Sequence, residues 1–202
     1  MYEEKEFVGN SDSSRDIAYH LHSYTHPETL SKEGPHIINQ GEGIYVYDES
    51  GKKFIEGMSG LWCTSLGFSE KEIIDAITHQ LNKLPYYHSF AGKTADPAIN
   101  LAENLLSKTP VKMSKVYFAN SGSEANDTQI KFVHRYFQLL GKPEKRLIIS
   151  RKNAYHGSTI AAGSLGGMSA MHEQTQGLNY IHHIEQPHWF ELGGDMSSDE
   201  FG

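Results

Sequence analysis

The chain has 202 residues, enough for one good-sized domain or for pieces of two. Its hydrophobic content of 38% and aromatic content of 11% are typical of a globular protein and exclude a disordered one. The formal charge of −7 argues against nucleic acid or an anionic membrane as the main partner. A single cysteine, Cys63, excludes an intramolecular disulfide, and no apolar run approaches the length of a membrane span. The charged start of the chain does not resemble a signal peptide, so we expect a cytoplasmic protein.

The first half of the chain shows short helical and extended patterns. A Ser/Asp cluster begins a helix over Ser11–Leu21, and Pro27 is predicted to end regular structure there. The stretch Gly43–Gly57 is predicted to form a hairpin, and Glu70–Leu84 an amphipathic helix. Asp96 caps a further helix with a proline in its first position. The predicted buried face of that helix consists of Ile99, Leu101, Ala102, Leu105 and Leu106.

Three histidines near the start of the chain raise the question of a metal site. His20, His22 and His26 lack the HExxH spacing of zinc ligands and have no cysteine pair nearby. We therefore predict solvated or packed histidines and no metal.

A strand followed by a small-residue turn and a helix is the most informative pattern in the chain. Lys115–Ala119 is an apolar run that predicts a short buried strand. Asn120–Ser123 then supplies a Gly/Ser turn, and Ser121 and Glu124 have the spacing of a capping box at a helix start. Free N–H groups and the positive end of the helix dipole would meet at this turn and bind an anion, most readily phosphate. The pattern alone also fits an ordinary capped strand–helix turn, and it does not decide between the two.

A second apolar run places further polar residues near this turn. Arg146–Ser150 predicts a buried strand that completes a βαβ unit with parallel strands. Tyr155 follows it in a short polar loop, and Leu178–Ile184 predicts a third strand. Ligands of open parallel sheets bind at the carboxyl ends of strands, so we expect the Gly/Ser turn and Tyr155 to converge on one crevice.

With these residues assembled, the chain closely resembles the class III, or ω-amino acid, aminotransferases, which are pyridoxal-phosphate enzymes of fold type I. The NSGSEAN and AYHGS motifs together are specific for this family, and other phosphate motifs such as the P-loop are absent from the sequence. The matching segments are HLHSYTHP at His20–Pro27, GMSGLWC at Gly57–Cys63, FANSGSEANDT at Phe118–Thr128 and ISRKNAYHGST at Ile149–Thr159.

The resemblance implies an α/β fold of which this chain forms a part. Residues 1–60 would be the N-terminal segment of the small domain, a helix plus a hairpin. Residues 61–202 would be an incomplete large pyridoxal-phosphate-binding domain with a mostly parallel sheet. The full-length enzyme would be a homodimer acting on a small-molecule amine donor and a keto acid acceptor such as pyruvate.

The resemblance also implies roles for individual residues. Three residues of the turn would bind the coenzyme phosphate, in agreement with the anion site argued above. Tyr155 would stack on the pyridine ring, and His156 and Gly157 would shape the same wall. The phosphate-binding residues would be Ser121, Gly122 and Ser123, and the aromatic residues lining the substrate pocket would be Tyr24, Trp62 and Phe90.

Two groups that pyridoxal-phosphate chemistry requires have no counterpart here. The resembled family places its Schiff-base lysine and the carboxylate that protonates the ring nitrogen beyond the equivalent of Gly202. None of the 14 lysines stands in the family's lysine context; Lys152 is the nearest in sequence to the AYHGS motif. The chain is therefore interpreted as the N-terminal portion of an aminotransferase, with no catalytic residue assigned.

Two alternative functions remain open at this point. The same fold and coenzyme serve other reactions, such as those of an aminomutase or a decarboxylase. The missing lysine also fits a non-catalytic module that binds pyridoxal phosphate or another phosphate ligand, or that dimerises with a full-length relative.

The 202-residue chain alone is expected to have no transaminase turnover, because it lacks the Schiff-base lysine. The purified chain would be assayed for amino transfer from an amine to pyruvate. Measurable transfer would contradict the interpretation.

Overall fold

A computed structural model describes residues 9–173 and 177–202 of the chain. The chain forms two compact units, one ending at Ala95 and the other spanning Asp96–Gly202. The boundary predicted between residues 60 and 61 separates the small and large domains of the resembled family. It stays a prediction. Among the described residues, no helix combines the length and the apolar content needed to cross a bilayer.

The first unit begins with two short helices. Ser11 caps the first, because its Oγ accepts a hydrogen bond from the N–H of Ser14 at 3.1 Å. The prediction that Pro27 ends regular structure is wrong, since Pro27 begins the second helix, where its fixed φ suits the first turn and its missing N–H costs nothing. The described elements are α1 (Asp12–Tyr19), α2 (Pro27–Glu33), β1 (Ile38–Glu42), β2 (Tyr45–Asp48), β3 (Lys53–Ile55), α3 (Ser59–Trp62) and α4 (Lys71–Lys83).

The predicted hairpin forms two strands of a three-stranded antiparallel sheet in the order β1-β2-β3. Its turn is held by Asp48, whose Oδ1 accepts hydrogen bonds from Ser50 Oγ at 2.6 Å and from the N–H of Lys52 at 3.0 Å. The hydroxyl of Ser50 holds the pKa of Asp48 below its ordinary value. Strand β1 was not predicted, because its sequence INQGE is poor in β-branched residues and the strand depends on pairing with β2.

The second unit carries a two-stranded parallel sheet. Along the chain, helices come before the first strand, between the two strands and after the second strand. Strands β4 and β5 pair from Ile148 opposite Ile181 to Arg151 opposite Ile184, so the third predicted strand is confirmed with a later start. Ile130, Ala162 and Ile181 are buried here. The described elements are α5 (Asp96–Lys108), α6 (Gly122–Leu139), β4 (Ile148–Arg151), α7 (Ile160–Leu165), α8 (Ser169–His172), β5 (Ile181–Ile184), α9 (Trp189–Leu192) and α10 (Ser198–Phe201).

The predicted buried strand over Lys115–Ala119 is wrong for this chain. These residues have no ladder partner in the described structure, and Tyr117 and Phe118 are 67% and 46% exposed. A strand needs a neighbour to receive its backbone hydrogen bonds, and β4 pairs with β5 instead. The predicted βαβ unit therefore has different members: β4 and β5 are its strands, and α7 and α8 lie in the connection.

The predicted burial of the amphipathic helices also differs from the structure. Both helices form, but Ile99 and Leu101 of α5 and Ile74 and Ile77 of α4 remain about half exposed. Within each unit, no described element packs extensively against α4 or α5. The apolar spacing thus predicted the helices correctly, while burial of their faces requires surfaces that the described residues do not supply.

The purified 202-residue chain is expected to be poorly stable and prone to aggregate, because apolar helix faces and an unpaired extended segment contact water. Thermal unfolding and sedimentation would measure this. A soluble monomer that melts in one sharp two-state transition would contradict the expectation.

Candidate functional site

The start of α6 is fixed by side chains on both sides of the helix terminus. Ser121 is the N-cap, and its Oγ accepts a hydrogen bond from the N–H of Glu124 at 3.1 Å. The Glu124 carboxylate reaches back to Asn120, accepting from its backbone N–H at 2.9 Å and from its Nδ2 at 3.1 Å. The predicted helix start is confirmed, but the return bond of the capping box goes to Asn120 and not to Ser121.

The arrangement leaves the donors at the turn free for a ligand. In residues 9–173 and 177–202, no protein acceptor bonds the backbone N–H groups of Ser121, Gly122 and Ser123. Nothing lies within 4 Å of the position that a Cβ on Gly122 would occupy, so the space in front of this residue is open. Three free donors at the positive end of an 18-residue helix are suited to binding an anion.

The loop after β4 is held in place by a pair of hydrogen bonds to Gly167. The N–H of Asn153 donates to the Gly167 carbonyl at 3.1 Å, and the N–H of Gly167 donates to the Ala154 carbonyl at 2.9 Å. The approach is so close that a Cβ on Gly167 would lie 2.6 Å from the Cα of Lys152 and would overlap the carbonyl oxygen of Arg151. This anchor fixes the residues immediately before Tyr155.

The far side of the same loop contacts α6. The N–H of Ser158 donates to Ser123 Oγ at 3.1 Å, and Asn126 Nδ2 donates to the His156 carbonyl at 2.7 Å. Gly157 is buried with φ +123°, and a Cβ there would lie 2.9 Å from the Cβ of Ser123 and would overlap its Oγ. The structure thus brings His156 and Gly157 against the Gly/Ser turn, while their role beside a coenzyme ring stays a prediction. The contact runs through α6 itself, and not through two neighbouring strand ends, because the first of those strands does not form.

The hydroxyl of Ser123 can serve two partners at once. A hydroxyl accepts hydrogen bonds at its lone pairs and donates one proton. Ser123 Oγ accepts from the N–H of Ser158, so its proton remains able to point towards an anion in front of the turn. Ser123 therefore links the turn at the start of α6 with the loop that carries Tyr155.

Tyr155 lies between the two anchored ends of the loop. Its side chain is 56% exposed, and its neighbours Ala154 and His156 are both held through their backbone carbonyls. An exposed aromatic face on an anchored loop is suited to stacking against a planar ligand. The stacking role of Tyr155 stays a prediction.

The three aromatic residues predicted for the substrate pocket lie in the first unit. Tyr24, Trp62 and Phe90 have side chains 80%, 76% and 78% exposed. Tyr24 and Trp62 also have positive φ values, 52° and 67°, a conformation that costs energy in a bulky residue and is concentrated at functional sites. Their role in a substrate pocket stays a prediction.

The histidines near the start of the chain form a hydrogen-bonded cluster with Asp16. One oxygen of Asp16 lies 2.9 Å from His20 Nδ1 and the other lies 2.6 Å from His22 Nε2. The hydrogen bond to His20 is the main cause that lowers the pKa of Asp16. These three side chains are close enough to hold a cation, but each ring already uses one nitrogen on the carboxylate, and His26 is outside the group. The expectation that the chain binds no metal stays a prediction.

Sequence reasoning missed two residues of α6 that contact the loop. Asn126 bonds the His156 carbonyl, and Asp127 Oδ1 accepts from Thr159 Oγ1 at 2.8 Å and from the N–H of Ala162 at 3.2 Å. Both lie one turn beyond the Gly/Ser turn, within the NSGSEANDT motif, so the motif already contained the signal. The motif did not indicate which residue, distant in the sequence, each side chain contacts.

The profile of the family described as "Aminotransferase class-III" matches residues 29–191. Putrescine–pyruvate aminotransferase of Pseudomonas aeruginosa is 44% identical over 190 residues, which cover 94% of this chain and 41% of that protein. Vanillin aminotransferase of Capsicum annuum is 47% identical over 169 residues, covering 82% of this chain and 37% of that protein.

Solved structures agree with the sequence comparison. An ω-transaminase from Pseudomonas jessenii in complex with PMP superimposes with a TM-score of 0.92 at 46% identity, covering 95% of this chain and 43% of that one. A PMP-bound aminotransferase from Vibrio fluvialis gives 0.91 at 34% identity, covering 96% and 43%. The chain therefore has the α/β fold of these transaminases in part, and it spans about two fifths of their length.

Gly157→Ala is expected to break the contact between the loop and α6, because the methyl group would overlap Ser123 and the backbone conformation disfavours a side chain. The free energy of unfolding of the second unit should fall by about 1–3 kcal/mol, and the Ser158 amide should exchange faster with deuterium. Gly163→Ala, in α7 with open space around its Cβ position, is the control and should gain up to about 1 kcal/mol. Unchanged exchange at Ser158 in Gly157→Ala would contradict the described contact.

Proposed function

Because the chain belongs to the class-III aminotransferase family, we propose that its protein is a pyridoxal-phosphate-dependent transaminase. It transfers an amino group from an amine or ω-amino acid to a keto acid such as pyruvate. The observation that carries the proposal is the contact of the loop 156–158 with the turn at Ser123, beside three free N–H groups. In this geometry, hydrogen bonds hold the proposed anion site next to the loop that carries the aromatic residue.

The residues present fit both parts of pyridoxal phosphate. The N–H groups of Ser121, Gly122 and Ser123 and the Ser123 hydroxyl supply four donors to a phosphate, and the dipole of α6 favours its charge. Tyr155 offers an exposed ring for the pyridine face, and His156 and Gly157 follow it in the same loop. The coenzyme, when bound, supplies the electron sink that stabilises a carbanion beside the amino group. The residues of this chain bind its phosphate and restrain the plane of its ring.

The proposed substrates follow from the relatives and from the aromatic residues of the first unit. One solved relative is a thermostable ω-transaminase variant with a tryptophan replaced by glycine, engineered for asymmetric synthesis of enantiopure bulky amines. A second variant for the same purpose carries changes at a tryptophan and a phenylalanine with the sequence separation of Trp62 and Phe90. We infer that Trp62 and Phe90, with Tyr24, limit the size of the amine that this protein accepts.

The Schiff-base lysine of the proposed reaction is not assigned to this chain. Lys152, the lysine nearest to the AYHGS motif, forms an ion pair with Glu185. The proposal includes a homodimer and a cytoplasmic location, which the unpaired Cys63 fits.

Substitutions at three residues test the two halves of the coenzyme site. Gly122→Ala should leave the fold intact, because its methyl group meets no protein atom, yet weaken pyridoxal-phosphate binding about tenfold or more by blocking phosphate approach. Ser123→Ala should weaken binding by a similar factor, through loss of one donor. Tyr155→Ala should weaken it about tenfold, whereas Tyr155→Phe keeps the ring and should bind as the unsubstituted protein does.

The dissociation constant would be measured by fluorescence titration with pyridoxal phosphate, with Gly163→Ala as the control for a glycine outside the site. Unchanged affinity in both Gly122→Ala and Tyr155→Ala would overturn the assignment of the site.

A further inference from the structure

Two half-buried residues of α6 face the loop that carries Tyr155. Asn126 and Asp127 stand three and four positions after Ser123, so all three lie on one side of the helix. Each bonds a different part of the loop or of the helix that follows it. We call Asn126 and Asp127 the helix–loop bridge.

The bridge makes three hydrogen bonds, and each has a defined direction. Asn126 Nδ2 donates to the His156 carbonyl at 2.7 Å. Asp127 Oδ1 accepts from the Thr159 hydroxyl at 2.8 Å and from the N–H of Ala162, a fully buried residue in the first turn of α7, at 3.2 Å. The bridge therefore ties α6 to the residue after Tyr155 and to the start of α7.

These bonds complete the support of Tyr155 from the side of the helix. On the other side, the two hydrogen bonds of Gly167 hold Asn153 and Ala154. Tyr155 lies between the two anchors and is 56% exposed. The distance from its ring to the free N–H groups of the turn thus depends on the bridge.

We propose that Asn126 and Asp127 are positioning residues that fix the Tyr155 ring relative to the anion site at the start of α6. The inference rests on the proposed function, since pyridoxal phosphate is the ligand that would contact both the anion site and the Tyr155 ring. A phosphate alone needs only the turn. A ligand that has both a phosphate and a ring needs the turn and the Tyr155 ring at the correct separation. Its affinity is therefore sensitive to the helix–loop bridge.

The direction of the bonds predicts unequal effects of two substitutions that preserve shape. Asn126→Asp puts a carboxylate oxygen against the His156 carbonyl, so a donor is lost and two acceptors repel each other. Asp127→Asn keeps an oxygen that can accept from Thr159 and Ala162. If the two side chains only filled space, both changes would be equally harmless.

The test uses the purified protein and two probes, pyridoxal phosphate and inorganic phosphate. Asn126→Asp should weaken pyridoxal-phosphate binding about tenfold more than it weakens inorganic-phosphate binding, because the added negative charge acts on both ligands and the lost positioning acts only on the coenzyme. It should also change the visible circular dichroism of the bound coenzyme. Asp127→Asn, which keeps the accepting oxygen, should weaken pyridoxal-phosphate binding by less than Asn126→Asp does. An Asn126→Asp variant that binds pyridoxal phosphate normally, or loses both ligands equally, would overturn the bridge as a positioning device.

A second pair of variants decides the case if Asn126→Asp does not fold. Thr159→Val removes the hydroxyl that donates to Asp127, and Thr159→Ser retains it. Weaker pyridoxal-phosphate binding in the valine variant, restored by serine, supports the proposal, and equal binding in both overturns it. An unsubstituted protein that binds inorganic phosphate but not pyridoxal phosphate would overturn the proposed function itself, a result distinct from failure of the bridge alone.

Discussion

The contact between Gly157 and Ser123 is the constraint on which the proposed site depends. No side chain larger than hydrogen fits at residue 157, because the Ser123 side chain occupies that space. The same contact lets the N–H of Ser158 bond Ser123 Oγ at 3.1 Å. Without it, the loop that carries Tyr155 would be held to α6 only by the hydrogen bonds of Asn126 and Asp127.

Other contacts within the second unit hold the elements on both sides of this contact in place. The parallel pair β4–β5 sets the direction from which the loop leaves the sheet, and Gly167 holds its first residues. Buried Ser150 donates to the Leu165 carbonyl at 2.6 Å, so the end of α7 is tied to β4 as well. The phosphate and the ring of one ligand would then meet two segments whose separation is fixed before binding. Such preorganisation reduces the ordering cost that binding would otherwise carry.

Local features of the site were predictable from the sequence, and tertiary features were predictable only in part. The spacing of Ser121 and Glu124 predicted the start of α6 because capping involves neighbours along the chain. The run Lys115–Ala119 predicted a strand that does not form, because strand formation depends on a partner that local sequence does not identify. The contacts of Asn126 and Asp127 span 30 to 35 positions, and no periodicity indicates such pairs. The resemblance to a family implied which coenzyme binds, because the capped turn alone does not indicate the identity of its ligand.

A crystal structure of the purified protein grown with pyridoxal phosphate tests the central claim most directly. The account predicts phosphate oxygens within hydrogen-bonding distance of the N–H groups of residues 121–123, with the pyridine ring against Tyr155. A phosphate bound elsewhere, for instance in the cleft lined by Arg151, Lys152 and His188 at the end of β4, would contradict it.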